Sequence, residues 1–153
     1  RGICCVTAGV PGRTENLRIR SIVGRYLEHS RIYCFGDGDD MRIYIASGDF
    51  LTRNTERRVE VGLKVPDRAL ANKLRQILEL QLSDNVNARE MKPDGSYSKV
   101  KAEPGAPRVD SQMALYDAFR DGFVLPESPA APAPAPKPSL LDKITGLLRF
   151  KKK

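Results

Sequence analysis

The only histidine of the chain, His29, is followed two positions later by Arg31. Histidine is the side chain that most readily gives or takes a proton near neutral pH, so it can serve as a general acid or base. An arginine beside it can hold an anionic group. An ordinary surface histidine, or one that caps a helix, is the competing interpretation. The pair therefore predicts either a proton-transfer site that accepts an anion or a feature of the surface.

A second polar stretch, residues 46–58, follows a predicted strand and is dense in hydroxyl, amide and guanidinium groups. These groups hold phosphate oxygens, and arginine does so through two parallel hydrogen bonds. A solvated polar loop is the alternative. A third set of cations could converge on the same anion from a strand end and its neighbouring helix: Arg1, Arg18, Arg20 and Arg25.

The elements that must position these residues follow a mixed α/β pattern. Strands are predicted over residues 2–7, 31–35, 42–46 and 59–65, and helices over 17–28, 66–84 and 111–119. Hairpin turns are predicted at 36–40 and 94–95. The long helix is expected to bury one apolar face, formed by Leu70, Leu74, Ile77, Leu78 and Leu82.

Composition limits the classes that need to be considered. The 153 residues carry a net charge of +7, and no apolar run approaches the ~18 residues of a membrane-spanning helix. Three cysteines without framework spacing indicate reduced, buried thiols in a cytosolic protein, and a single histidine argues against a structural zinc site. Because Arg1 opens directly into a predicted strand, we expect the sequence to be part of a longer polypeptide.

The chain divides near Pro126 into a globular part, residues 1–125, and two appended segments. Residues 126–138 are rich in proline and alanine and predict an extended linker. Residues 139–153 predict a basic amphipathic helix that could bind an anionic membrane surface, with a solvated appendage as the alternative. This tail carries most of the net charge, so the basic balance says little about the chemistry of the globular part.

Five ordered motifs carry a resemblance to a known family. They are RGICC at 1–5, ENxRxRSIVGRYLEHSR at 15–31, SxDFxxRNxxRRVEV at 47–61, SDNVxAR at 83–89 and QxALYD at 112–117. Together they resemble the C-terminal catalytic region of the class-one polyphosphate kinases over about residues 1–120. The resemblance implies an α/β fold, a phospholipase-D-like mixed sheet flanked by helices, with a disordered C-terminal tail.

The resemblance also implies a function. The family transfers the terminal phosphate of ATP reversibly to inorganic polyphosphate, through a phosphohistidine and with magnesium. The phosphohistidine and the Mg²⁺ ligands would lie upstream of Arg1, so we expect no metal site in this sequence and no activity from it alone. The matched positions imply nucleotide-phosphate contacts at Arg1 and His29, with His29 as the proton donor or acceptor.

Further pocket candidates are Arg31, Ser47, Asp49, Arg53, Asn54 and Arg58. Asp49 could instead orient His29 or an arginine. The expected partners are ATP, ADP and polyphosphate, in a cytoplasmic homo-oligomer that could touch the inner face of the membrane through its tail.

Two other functions compete with this one. A phospholipase-D-like phosphodiesterase or nuclease is the enzymatic alternative, because His29-Ser30-Arg31 stands where that class carries His-x-Lys. The arginine at 31, and Asp49 where that class has asparagine, argue against it. A basic nucleic-acid-binding module is the other alternative, but the chain has no recognisable motif of that kind and few aromatic residues for base stacking, so no nucleic acid is expected.

Overall fold

The structure, a computed structural model, describes residues 4–123 and residue 125. Arg1 and the predicted segments 126–138 and 139–153 lie outside the described residues. The strands are β1 (Arg20–Ile22), β2 (Ile32–Phe35), β3 (Arg42–Ala46), β4 (Gly62–Lys64), β5 (Ala88–Met91) and β6 (Tyr97–Lys99). The helices are α1 (Thr52–Glu56), α2 (Arg68–Ser83) and α3 (Ser111–Arg120), with a short 3₁₀ turn at Gly38–Asp40.

The predicted α/β class is confirmed. The described strands form two antiparallel sheets of three strands, in the orders β1-β5-β6 and β2-β3-β4, where the sequence led us to expect one mixed sheet. Both predicted hairpins are present: β2 pairs with β3 across the turn at 36–40, and β5 pairs with β6 across the turn at 94–95. No helix of the described residues is long and apolar enough to cross a bilayer.

Helix α2 begins where the sequence predicted, because the side chain of Asp67 accepts a hydrogen bond from the Leu70 amide at 2.8 Å and caps it. The helix packs its Ala71 and Leu74 against the β2-β3-β4 sheet, around the fully buried Ile43. Leu70, expected on the buried face, is instead 54% exposed. It lies about 100° around the helix from Ala71, so it turns away from the sheet.

Three further expectations, on α2, on the cysteines and on the first strand, are wrong. Leu82, also expected on the buried face, is exposed, whereas Leu80 is buried. The thiols of Cys4, Cys5 and Cys34 are exposed, so the prediction of buried cysteines is wrong. Residues 4–7, part of the predicted strand 2–7, pair with no strand among the described residues.

The predicted helix over 17–28 is wrong. Its middle forms β1, which pairs with β5 so that Arg20 lies opposite Glu90, and the Met91 amide donates to the Ile19 carbonyl at 3.0 Å. Ile19, Ile22 and Val23 are β-branched, and such residues pack well on a pleated surface. Pairing with β5, which is distant in sequence, therefore outweighs the helical spacing of the apolar residues.

Asp84 joins three elements at one point. Its fully buried carboxylate accepts hydrogen bonds from the amides of Val86, Asn87 and Ala88 at 2.7–3.0 Å, where β5 begins. It also accepts from the amide and the hydroxyl of Ser111, at the start of α3, at 2.9 and 2.8 Å. Since Asp84 directly follows α2, this single carboxylate fixes the end of α2 against β5 and α3.

Candidate active site

The candidate site lies at the open end of the β2–β3 hairpin. Register places Ile32 opposite Ile45, and the Ala46 amide donates to the Arg31 carbonyl at 3.0 Å. Arg31 therefore enters β2 at the same end at which residues 47–49 leave β3. The two predicted stretches, one around His29 and one over 46–58, are brought together by this strand pairing.

Arg31 and Asp49 form a two-bond ion pair. Arg31 Nε lies 2.8 Å from Asp49 Oδ1, and Nη2 lies 3.1 Å from Oδ2. The hydrogen bond with Arg31 lowers the pKa of the Asp49 carboxyl, and nearby Arg53 and His29 lower it further. Of the roles considered for Asp49, orienting an arginine is the one this geometry fits.

Arg31 also holds the backbone of the histidine. Its Nη1 donates to the His29 carbonyl at 2.5 Å. The His29 side chain is exposed and has no hydrogen-bond partner among residues 4–123 and 125. It lies in a segment between β1 and β2 that is neither helix nor strand, so the helix-capping interpretation does not apply.

Glu60 organises the polar side chains after β3. One carboxylate oxygen accepts from the Ser47 hydroxyl at 2.5 Å, and the other accepts from the Asn54 amide at 2.7 Å. These two bonds, with Ser47 contributing most, lower the pKa of Glu60. Arg58 Nε lies 3.8 Å from the same carboxylate. Sequence reasoning missed Glu60 as a site residue, although it stands inside the motif at 47–61.

Glu60 occupies this position because the predicted strand 59–65 is shorter than expected. Its β4 spans Gly62–Lys64 alone, and the preceding Val61 donates its amide to the Ser47 hydroxyl at 3.0 Å. Gly48 is required at the contact: a Cβ there would lie 2.7 Å from Glu60 Cγ and 3.0 Å from Glu60 Cβ. A larger residue would therefore push the carboxylate away from Ser47 and Asn54.

Helix α1 supplies the amide and one free cation. Asn54 is 6% exposed, and its Oδ1 has no hydrogen-bond partner among the described residues. The side chain of Arg53, the preceding residue, is exposed and forms no hydrogen bond or ion pair within the described part of the chain. Arg53 and His29 are thus among the polar side chains at this end that remain available to an incoming ligand.

Two cavities meet at the ion pair. His29 and Arg31 line a cavity of about 800 Å³ that extends along α2 and α3. Asp49 and Asn54 line a second cavity of about 440 Å³, and Ala46 borders both. The Arg31–Asp49 pair therefore stands between two cavities whose linings are mainly apolar, and the smaller one carries the polar groups of Asp49, Asn54 and Glu60.

Comparison with known proteins assigns the chain to a family. The family model for the polyphosphate kinase C-terminal domain 2 matches residues 1–112. The chain belongs to the polyphosphate kinase family. The resemblance expected from the five motifs is thereby confirmed.

Polyphosphate kinases of several bacteria are similar to the chain. The polyphosphate kinase of Bacillus anthracis is 46% identical over 116 residues, which are 76% of this chain and 16% of the relative. Polyphosphate kinase 1 of Chlorobaculum tepidum is 48% identical over 112 residues, 73% of this chain and 16% of the relative. The chain thus spans about a sixth of the length of these curated relatives.

A solved structure supports the fold assignment. The crystal structure of the polyphosphate kinase from Porphyromonas gingivalis is similar to the chain with a TM-score of 0.72 and 33% identity. The match covers 80% of this chain and 18% of that one. The two small sheets and their helices therefore form a polyphosphate kinase C-terminal fold. The ligand roles of the individual site residues, Arg1 among them, stay predictions.

Proposed function

We propose that this chain contributes part of the active site for reversible transfer of the terminal phosphate of ATP to inorganic polyphosphate. The observation that carries the proposal is the combination of family membership with an unpaired His29 held beside a fixed Arg31. Phosphoryl transfer requires positioned cations around the phosphate oxygens and little covalent chemistry from the protein. The exposed Arg53 and the weakly paired Arg58 fit that demand.

The transfer proceeds in two steps. In the first, the bond between the γ-phosphorus of ATP and its bridging oxygen breaks, and a P–N bond forms to a histidine upstream of Arg1, leaving ADP. In the second, the P–N bond breaks, and a P–O bond forms to the terminal oxygen of polyphosphate. His29 gives or takes the proton that accompanies transfer, because imidazole exchanges protons near neutral pH.

Magnesium, which the family implies, finds no ligand set among these residues. No group of three or more His, Cys, Asp or Glu side chains lies together within residues 4–123 and 125. The two carboxylates of the site are already engaged, Asp49 by Arg31 and Glu60 by Ser47 and Asn54. The Mg²⁺ ligands are instead expected upstream of Arg1, as the family resemblance implies.

Replacement of the histidine in the full-length polyphosphate kinase tests the proposal. His29→Ala should abolish ATP-dependent polyphosphate synthesis and the reverse formation of ATP, with the melting temperature unchanged. Hydrolysis of bis(p-nitrophenyl) phosphate and cleavage of DNA are measured on the same preparations, because a phosphodiesterase or nuclease would act on them. Normal synthesis by His29→Ala would refute the proposal, as would phosphodiesterase activity in the absence of any synthesis.

The same proposal includes a cytoplasmic homo-oligomer whose tail, residues 139–153, binds an anionic membrane surface. The tail ends in three lysines, and clustered cations beside the apolar face of the predicted helix favour anionic lipid. Co-sedimentation with phosphatidylglycerol vesicles should pellet the full-length protein and not a version lacking residues 126–153. Equal pelleting of both would refute the membrane contact. The molar mass from light scattering tests the homo-oligomer, and the mass of a single chain would refute it.

A further inference from the structure

The segment that precedes the candidate histidine is held by one buried glutamine on helix α3. Gln112, on α3, is 5% exposed. Its Oε1 accepts from the Tyr26 amide at 3.0 Å, and its Nε2 donates to the Tyr26 carbonyl at 2.7 Å. Both main-chain groups of Tyr26 are therefore satisfied by a side chain 86 positions away in sequence.

Glu28 extends this attachment to a second helix. One oxygen of its carboxylate accepts from Gln112 Nε2 at 2.8 Å, and the other accepts from Gln81 Nε2, on α2, at 2.7 Å. No cation pairs with Glu28 among the described residues. The carboxylate thus bridges two neutral amides, one from each helix, directly before His29 in the chain.

Gly24 makes the attachment tight. A Cβ at this position would overlap Gln112 Oε1 and lie 2.9 Å from Gln112 Cδ. The glutamine side chain is therefore packed directly against the backbone of the segment, and its orientation is set by Tyr26. On the other side of His29, Arg31 holds the carbonyl of the histidine itself.

We propose that Glu28 is a positioning residue for His29: its carboxylate, bridging Gln81 and Gln112, fixes the segment 24–30 on α2 and α3 and thereby places the imidazole for phosphoryl transfer. The catalytic consequence rests on the proposed function. The attachment of the segment does not depend on the proposed function, because it consists only of the hydrogen bonds of Glu28, Gln81 and Gln112.

The geometry predicts which substitution of Glu28 should be tolerated. The two bonds to Tyr26 fix the orientation of the Gln112 amide, so that its Nε2 faces residue 28. Gln112 must therefore remain a hydrogen-bond donor to residue 28. Gln81 has no other side-chain partner in the described residues, so its amide can rotate by half a turn. Glu28→Gln can then accept from Gln112 and donate to Gln81, whereas Glu28→Ala loses both bonds.

The test uses full-length polyphosphate kinase with Glu28→Ala, Glu28→Gln and His29→Ala. Glu103→Ala is the matched control, since it removes one carboxylate whose side chain has no bond to segment 24–30. Hydrogen exchange of the Tyr26 amide, the one amide of 24–30 that donates a hydrogen bond among the described residues, should become about tenfold faster in Glu28→Ala and stay within about twofold in Glu28→Gln and Glu103→Ala. The kcat for polyphosphate synthesis should fall about tenfold or more in Glu28→Ala, with the KM for ATP nearly unchanged. Glu28→Gln should restore it to within about threefold.

The two hypotheses fail in different ways. Wild-type exchange protection of the Tyr26 amide in Glu28→Ala would refute the claim that Glu28 fixes the segment. Faster exchange with an undiminished kcat would refute the positioning role, and so would Glu28→Gln being as impaired as Glu28→Ala. Full activity of His29→Ala would instead refute the proposed function, while the exchange data would still decide whether Glu28 fixes the segment.

Discussion

Arg31 and Asp49 are joined by two near-parallel hydrogen bonds although they lie 18 positions apart in the chain. Strand pairing makes the contact possible, since Arg31 precedes β2 and Asp49 follows β3. Only a planar guanidinium can make both bonds to one carboxylate while a third nitrogen reaches the His29 carbonyl. The pair therefore links the polar residues after β3 to the segment that carries the histidine.

Arg31→Lys should reduce polyphosphate synthesis about tenfold or more, because an ammonium cannot span both Asp49 oxygens and the His29 carbonyl. Steady-state kinetics of the full-length enzyme measure the loss, with Arg13→Lys as the control, since Arg13 forms no side-chain bond among the described residues. A wild-type rate in Arg31→Lys would mean that the point charge, and not the two-bond geometry, is what matters.

The stability of the chain should decrease in acid partly through Asp49. The pKa of this carboxyl is lowered in the folded state by Arg31. Such a group contributes stability above its unfolded pKa, about 4, and loses it as the pH falls through the lower folded value. Urea unfolding between pH 5 and 2 should therefore show a shallower decrease in the free energy of unfolding for Asp49→Asn than for wild type. An identical slope would contradict the pair as a source of acid sensitivity.

Gly48→Ala should disturb Glu60 and with it Ser47 and Asn54. The new Cβ would lie within 3.0 Å of the Glu60 side chain, and overpacking of this kind costs about 1–3 kcal/mol. Gly62→Ala is the matched control, because nothing lies within 4 Å of a Cβ there. Thermal unfolding and synthesis rates of both variants are compared. Equal melting temperatures and equal synthesis rates for Gly48→Ala and Gly62→Ala would show that the Glu60 side chain can move without loss of stability or activity.

Asp84→Ala should destabilise the chain by about 3 kcal/mol or more. It would leave the amides of β5 and of Ser111 without their acceptor in a fully buried site. Asp39→Ala, at an exposed position on the 3₁₀ turn, is expected to change the free energy of unfolding by less than about 0.5 kcal/mol. Denaturant unfolding provides the comparison, and a loss below about 1 kcal/mol for Asp84→Ala would contradict the role assigned to its carboxylate.

Local patterns were sufficient for some elements and not for others. Strand β3 follows a recognisable turn, and helix α2 combines helical apolar spacing with a capping residue. Both elements lie where the sequence predicted. The segment 17–28 has helical spacing, yet pairing with β5 made its centre a strand. Local spacing contains no information about such a distant partner.

The candidate site shows the same division. Chain proximity and one hairpin placed Arg31 near Asp49, and both were singled out from sequence. Glu60 was missed because a continuous strand was predicted where the chain leaves the sheet to meet Ser47. The contact between Glu28 and Gln112 spans 84 positions and depends on how α3 docks, which no single-sequence pattern records.

The five hydrogen bonds on the Asp84 carboxylate also bear on how the chain opens. Their donors belong to the start of β5 and the start of α3, and the acceptor stands at the end of α2. Detaching β5 or α3 leaves one oxygen of the buried carboxylate without its donors, and detaching the end of α2 leaves the donors of both without an acceptor, so opening any one element alone is unfavourable. The two longer helices and the β1-β5-β6 sheet should therefore unfold and refold as one cooperative unit, and Gln112, carried on α3, attaches the segment before His29 to that unit.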